Sequence, residues 1–479
     1  MPWELLGGLG CVGLALATGL LLVTKGPAGL LMLVILGLVV LAVVMPRHFL
    51  ILLLVIGTVF EPQAIDVTKP ISLFFWKFPG YIARALPLTL SPYEILLLFG
   101  ATSLLVRPGT RIQAAAVPKL IWAVPVVILL GWAYGLQKGA PSNLVYNESR
   151  GLLFGVLAFI VVMRFGPGWG KSLSRAVWWG GTGLAIVTLI RYYTLTRGGV
   201  SEVPLEFAYA HESAMFFGMA FIYATLRFLG SGSKRERFLL VLFNLLVLAA
   251  MLATGRRAAT LVLMIGVLVI GWQLFPRRPI MVAAIAIPMM AMGAVYLAVF
   301  WNQEYGAIAQ PARAIRSQIS PSARDLSSDE YRTTERYNVT KTIEVNKIFG
   351  VGFGNPFISF QPLPPLDDFW PLQLYTPHQN ILWLWLKMGI IGISVFLGTW
   401  VLAMKRCLIA IREAPKKGPL PILPVTLACS LLMYLSYARI DQALVSTRGM
   451  APLAVVCALA FLLPANKPSS PAQPDAPAR

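Results

Sequence analysis

Apolar runs, each about as long as one membrane crossing, recur along most of the chain. A helix needs about 20 predominantly apolar residues to cross a hydrocarbon core of about 30 Å. The third run is short for a full crossing, so we expect about 12 to 14 transmembrane helices in an all-α integral membrane protein. The predicted spans lie at about 4–23, 27–45, 48–60, 91–106, 119–136, 147–164, 174–194, 208–229, 237–254, 257–275, 279–300, 379–404, 420–438 and 448–465.

Composition agrees with this pattern, because 57% of the residues are hydrophobic and only 13% are charged. The net charge of +20 would suit a nucleic-acid partner. The excess of Lys and Arg, however, lies in short loops between apolar runs, where the positive-inside bias places it, so we expect no nucleic-acid partner. The four Cys and three His are too dispersed for a protein-only zinc site. We therefore expect no metal and no cofactor.

The basic loops fall on one side of this topology, together with both termini, and that side is predicted to be cytoplasmic. The opposite side then holds one large extracytoplasmic loop that contains helices. We divide the chain into N-terminal helices (1–136), central helices (137–300), the extracytoplasmic loop (301–378), C-terminal helices (379–465) and a tail (466–479) that is predicted to be disordered.

Inside the large loop, the run from Ser327 to Glu330 predicts a helix start, because acidic residues suit the first turn of a helix. We expect this helix to continue to Lys347. The glycines at 350, 352 and 354 superficially resemble a phosphate-binding loop, but no strand and helix frame them. Helix termination is the better interpretation of these glycines.

His378 is the leading candidate for chemistry, because it lies where this polar loop meets an apolar run. A helix N-terminus favours a neutral imidazole, and a neutral imidazole can accept a proton near neutral pH. The alternative is an interfacial histidine that anchors the helix end. Position alone leaves both interpretations open.

Arginines on the predicted extracytoplasmic side form the second candidate group, because they run against the positive-inside bias. Guanidinium groups bind phosphate oxygens in bidentate fashion, so several of them near one histidine suit a pyrophosphate. For the two in the loop helix, a solvated face paired with Glu335 and Asp329 is the alternative. The candidates are Arg150, Arg191, Arg256, Arg257, Arg332 and Arg336.

Acidic residues are weaker candidates. Glu148 lies close to Arg150 in sequence, and we expect the two to pair. His211 and Glu212 begin a span, where capping or core packing is the expected role. Asp367 and Asp368 lie in a Pro-rich stretch, which indicates a solvated turn.

Short motifs in fixed order give the chain a family resemblance. Arg336 precedes the Gly-x-Gly stretch, and His378 opens a helix that contains Leu382, Gly389 and Gly392. This arrangement resembles the O-antigen ligase and O-antigen polymerase superfamily of bacterial polytopic membrane proteins. The resemblance extends over about residues 140–465.

The segment 254–258 is similar to the family's arginine at the start of a mid-chain helix. Two positions depart from the family pattern. Gln379 stands where the family often has Asn, with Asn380 one place later, and Lys387 stands where an acidic residue is common.

The resemblance implies metal-independent, inverting glycosyl transfer at the periplasmic face of the bacterial inner membrane. The donor would be a glycan on undecaprenyl pyrophosphate, and the acceptor would be a sugar hydroxyl of lipid A-core. A polymerase that joins lipid-linked O-antigen or exopolysaccharide repeat units is the alternative. A lipid or glycan transporter and a membrane scaffold are alternatives of other classes.

The resemblance also implies roles for individual residues. His378 would act as the general base. Arg256, Arg257 and Arg336 would hold the pyrophosphate. Arg150, Arg191, Arg332 and Asn380 are the remaining substrate-binding candidates.

Overall fold

The computed structural model of the chain is built from helices of membrane-spanning length. The structure describes residues 37–60 (without 39 and 43), 90–106, 117–165, 170–196, 212–254, 257–303, 308–321, 323–364, 372–415, 420–442 and 444–463. All regular secondary structure in these residues is helical. The predicted span at 4–23, His211, Arg256, Asp367, Asp368 and the C-terminal tail lie outside the described residues.

The helix positions follow the apolar runs closely. Seven helical segments within the described ranges are long and apolar enough to cross a membrane, which confirms an all-α, multi-pass membrane protein. The helices are α1 (Pro46–Val59), α2 (Pro92–Val106), α3 (Ala123–Gln137, after a short 3-10 helix at Lys119–Trp122), α4 (Ser142–Phe165), α5 (Gly170–Thr196), α6 (Ser213–Gly230), α7 (Lys234–Ala253), α8 (Arg257–Leu274), α9 (Pro279–Phe300), α10 (Gln310–Ile319), α11 (Ala323–Val345), α12 (Asn380–Glu413), α13 (Ile422–Ile440) and α14 (Thr447–Phe461).

The loop helix starts earlier than its capping signal predicts. Helix α11 begins at Ala323, ahead of the expected start at Ser327, and ends at Val345. Ala and Leu are strong helix formers, and Ala323 and Leu326 extend the helix in the N-terminal direction. The expected helix is therefore present, with its first boundary corrected.

Helix α14 is almost entirely buried and packs along α4. Small residues on α4 allow this close approach: a Cβ on Gly155 would lie 2.8 Å from Cγ of Met450, and one on Gly151 would overlap the carbonyl oxygen of Val445. Small residues at helix interfaces allow this kind of packing inside membranes. Both helices thus lie in the main apolar core, which also includes residues of α3, α6 and α12.

Helix α12 is broken at Gly389, where φ is 66° and ψ is −170°. The apolar pattern predicts an uninterrupted helix here, so this expectation is wrong. Non-helical backbone at membrane depth requires burial in protein and hydrogen bonds for its polar groups. Both conditions hold, because Leu386 O accepts from Val351 N at 2.7 Å and Ile390 N donates to Lys347 O at 2.9 Å.

The glycine-rich segment 350–354 fills this break. Gly350, Gly352 and Gly354 all have positive φ, at 71°, 81° and 79°, which is a backbone region that favours glycine. Phe353 between them is fully buried, and its N–H donates to the Gly131 carbonyl of α3 at 3.2 Å. The sequence predicts only that these glycines end a helix. In the structure the segment also connects α3 to the part of α12 around the break.

Candidate functional site

The site centres on a contact between His378 and Glu335. His378 lies in the turn before α12, and its backbone N–H donates to Oε2 of Glu335 at 2.9 Å. Its ring Nδ1 lies 3.1 Å from Oε1 and 3.2 Å from Oε2 of the same carboxylate. The Glu335 side chain is 2% exposed and the His378 side chain 19% exposed. One buried carboxylate therefore fixes both the backbone and the ring of the histidine.

This contact determines which ring nitrogen carries the proton in the neutral imidazole. An ionised carboxylate only accepts hydrogen bonds, so Nδ1 of His378 must donate to Glu335. The lone pair then lies on Nε2. A histidine oriented by a carboxylate in this way can take a proton from a hydroxyl, as in the triads of hydrolases.

The buried face of α11 carries polar residues beside apolar ones. Asn338 bonds Gln361 in both directions, with its Nδ2 donating to the Gln361 carbonyl and its Oδ1 accepting from the Gln361 N–H, each at 2.8 Å. Thr342 Oγ1 accepts from Ile358 N at 2.9 Å. Glu335, Asn338 and Thr342 recur at helical spacing and so lie on one face of α11. This spacing is the sequence signal for a buried polar face, and the alternative of a solvated face does not take it into account.

Tyr331 forms one wall of the site. Its ring meets the His378 ring edge to face, with 5.8 Å between centroids, and its hydroxyl accepts from Nε2 of Gln373 at 3.0 Å. Burial raises the pKa of Tyr331 to about 12, a shift that Gln373 opposes and Glu335 reinforces. The phenol therefore stays protonated at neutral pH and is a hydrogen-bonding group, not a base.

Asn380 holds the histidine turn in place. It is fully buried, its Oδ1 accepts from Leu444 N at 2.6 Å, and its Nδ2 donates to the Pro377 carbonyl at 3.4 Å. Nearby, Gln442 Nε2 donates to the Thr376 carbonyl at 2.9 Å. The turn that carries His378 is thereby tied to the segment before α14.

The candidate arginines fall into separate places. Arg332 and Arg336 lie on α11 with Glu335, the first partly buried and the second exposed. Arg150 of α4 is 37% exposed and its Nε lies 3.8 Å from Oε1 of Glu94. Arg191 of α5 is buried at 1% exposure.

The remaining two candidates, Arg256 and Arg257, are adjacent in the sequence. Arg257 is the first residue of α8, and its side chain lies outside the described part of the structure, as does all of Arg256. Arg332 and Arg336 thus lie on α11, the helix whose Glu335 contacts His378. Of the other candidates, Arg150 and Arg191 lie on α4 and α5, helices of the bundle.

The expected pairing of Glu148 with Arg150 is wrong. Glu148 Oε1 lies 2.9 Å from Nζ of Lys387, and both side chains are fully buried. Residues two apart on a helix point to different sides, so Glu148 and Arg150 reach different neighbours. Lys387, a departure from the family pattern, therefore has a specific buried partner.

A second buried ionic contact was not predicted from the sequence. Arg448 of α14 is 4% exposed, donates through Nε to the Gly57 carbonyl at 2.9 Å, and has NH1 3.6 Å from Oε2 of Glu212. Glu212 also accepts from the hydroxyl of Ser446. The core-packing role expected for Glu212 agrees with these contacts, which join the ends of α1, α6 and α14.

The fold and this geometry define a multi-pass helical membrane protein with a histidine–carboxylate site where a polar loop enters a membrane helix. Residues 242–397 match the family described as O-antigen ligase. The matched segment runs from α7 into α12 and includes both Glu335 and His378. The match supports the superfamily that the motifs indicate and a role in transfer of lipid-linked glycans. A search of curated proteins found no match to the chain.

The tautomer of His378 can be tested directly, because the chain has only three His. In protein with 15N-labelled histidine, the neutral His378 ring should carry its proton on Nδ1, because the Glu335 carboxylate accepts from that nitrogen. In the Glu335→Gln variant the Nδ1-protonated population should fall. Chemical shifts that place the wild-type proton on Nε2 would contradict the assignment.

Proposed function

We propose that this protein transfers a glycan from undecaprenyl pyrophosphate to a sugar hydroxyl of lipid A-core. Nε2 of His378 takes the proton of the acceptor hydroxyl as its oxygen attacks the anomeric carbon of the donor sugar. The bond from that carbon to the pyrophosphate oxygen breaks on the opposite side, so the configuration inverts and undecaprenyl pyrophosphate leaves. The contact between His378 and Glu335 is the observation that carries this proposal.

Negative charge that develops on the leaving pyrophosphate requires fixed positive groups. Preorganised donors and cations aimed at such charge usually supply the largest part of transition-state stabilisation. Arg332 and Arg336 are the first choices, because they lie on the helix that carries Glu335. Arg150, Arg191, Arg256 and Arg257 stay candidates for the same pyrophosphate.

The amide of Asn380 was expected in substrate binding. Its buried contacts with Leu444 and Pro377 favour a positioning role, in which the amide keeps the His378 turn against the segment before α14. We propose further that the site faces the periplasm, that the protein lies in the bacterial inner membrane, and that both termini are cytoplasmic.

A polymerase that joins lipid-linked repeat units would use the same base and the same leaving group. We favour the ligase because the single large loop directly precedes the histidine helix. A transporter is less well supported. The charged residues of a transporter would line a path through the membrane. Here Glu148 pairs with Lys387, and Glu212 pairs with Arg448, and both pairs are buried.

Replacing His378 should abolish most transfer. With purified protein and a glycan on undecaprenyl pyrophosphate, His378→Ala should lower the rate by about 10² to 10⁴, because general-base catalysis contributes about that much. His48→Ala on α1 is the matched control and should retain full activity. The product distinguishes the two enzymes: glycosylated lipid A-core marks a ligase and longer lipid-linked chains mark a polymerase. Full activity in His378→Ala would refute the base assignment.

Replacing the loop arginines should weaken use of the donor. Arg332→Ala and Arg336→Ala should each lower kcat/KM for the donor by about 10- to 100-fold, since a hydrogen bond to a charged group contributes about 1.5–3 kcal/mol. Lys341→Ala is the control, because Lys341 lies on the same helix and pairs with Glu344 at 2.8 Å. If both arginine variants match this control, neither residue holds pyrophosphate.

A further inference from the structure

The break in α12 separates the histidine from the rest of its helix. Gly389 has non-helical φ and ψ, so the short part of α12 before it, Asn380–Met388, is not continuous with the longer part after it; we call these two parts the first and second half. His378 lies just before this first half. Its place in the protein must therefore be set by contacts of the first half and not by the helix as a whole.

The first half of α12 forms one unit with α11. At one end, His378 contacts Glu335. At the other end, Trp385 Nε1 and Ile390 N donate to the Lys347 carbonyl at 3.2 and 2.9 Å. The same number of residues separates Glu335 from Lys347 and His378 from Ile390, so the two stretches run parallel to each other over an equal length.

A small apolar cluster fills the space between these two elements. Val339 and Ile343 of α11 are 1% and 4% exposed, and Leu386 of α12 is fully buried against them. The histidine and its carboxylate are therefore positioned with respect to each other inside this unit. Asn380 and Gln442 tie the histidine end of this unit to the segment before α14, and the other end is connected to the bundle separately.

One buried ion pair provides such a connection. Glu148 Oε1 lies 2.9 Å from Lys387 Nζ, and the other oxygen, Oε2, accepts from the N–H of Gly354. Lys387 Nζ also donates to the Asn355 carbonyl and lies 5.7 Å from the centre of the Tyr375 ring. The pair thereby joins α4, the glycine-rich segment and the first half of α12.

Stability alone is a poor explanation for this pair. Removing two charges from water costs so much that a well-packed apolar pair of similar volume is often as stable or more stable. A charged pair does fix geometry, because its hydrogen bonds require particular positions of all partners. Here those partners are the N–H of Gly354 and the carbonyl of Asn355, at the C-terminal end of the glycine-rich segment.

We propose that Glu148 and Lys387 are positioning residues that set where His378 lies relative to a donor held by the bundle. Helix α4 carries both Glu148 and Arg150, so the pair links the histidine unit to the helix of a candidate pyrophosphate ligand. Neither residue touches the reacting atoms. The catalytic part of this inference rests on the proposed glycan transfer, whereas the positional part does not.

The test replaces the pair with apolar residues of similar size. The double variant Glu148→Leu/Lys387→Met should fold and remain monodisperse, because it leaves no single buried charge. Its kcat should fall by about 10²-fold, since a misplacement of about 1 Å can cost that much, while the donor KM stays nearly constant. The 15N spectrum of His378 should be unchanged, because the Glu335 contact lies within the unit.

The exposed pair on α11 supplies the matched control. Lys341→Met/Glu344→Leu removes a contact of 2.8 Å between side chains that are 41% and 47% exposed, and it should leave kcat unchanged. Wild-type kcat in the Glu148→Leu/Lys387→Met variant would overturn the proposed effect on catalysis. A changed His378 spectrum would also overturn the inference, because the unit itself would then depend on the pair.

A distance measurement separates this inference from the proposed function. Spin labels at Gln379 and Asn143, with the four native cysteines replaced by alanine, report the position of the histidine turn relative to α4. The wild-type pair of charges should give a narrow distance distribution, and the apolar double variant a broader or shifted one. If the wild type shows no transfer, the proposed function is refuted, and the positioning role is then judged from the distance distributions alone. Identical distributions in the wild type and the apolar double variant would overturn the positioning role.

Discussion

The buried carboxylate of Glu335 is the constraint on which the site depends. A carboxylate removed from water must receive hydrogen bonds, because burying an unpaired charge costs far more than a typical protein's margin of stability. Glu335 receives them from the backbone and the ring of His378. A single charge thus joins the loop helix α11 to the turn that starts α12, and it determines which nitrogen of the histidine can act as a base.

The membrane imposes the second constraint. Backbone groups at membrane depth must be satisfied within the protein, so a helix can break there only if another segment supplies partners. Val351 of the glycine-rich segment and Lys347 just before it supply these partners to α12. Positive φ at Gly350, Gly352 and Gly354 permits the segment to enter between α3 and α12. The histidine half of α12 is thereby positioned independently of the half that follows Gly389.

The sequence predicts those features that depend on local pattern. Helices could be placed because each crossing needs a long apolar run, and His378 stood out because it lies where such a run begins. Residues 242–397 match the family described as O-antigen ligase, which agrees with the sequence motifs in that segment. The roles of the arginines stay predictions.

Contacts between distant parts of the chain were not predictable in this way. Sequence proximity offers Glu335 as a partner of the loop arginines in one alternative and Arg150 as the partner of Glu148, whereas the structure places Glu335 against His378 and Glu148 against Lys387. The buried contacts of Arg448 depend on α1 and α6, which no spacing reveals. The break at Gly389 was missed because a glycine within an apolar run does not by itself distinguish a helix from an interruption.

The central claim is that His378 and Glu335 act as one unit in glycan transfer. A double-mutant cycle with His378→Ala, Glu335→Gln and both changes together, measured as kcat/KM with a lipid-pyrophosphate donor, tests it most directly. We predict that the double variant is no slower than His378→Ala alone, because Glu335 acts through the histidine. Losses that multiply in the double variant would contradict it.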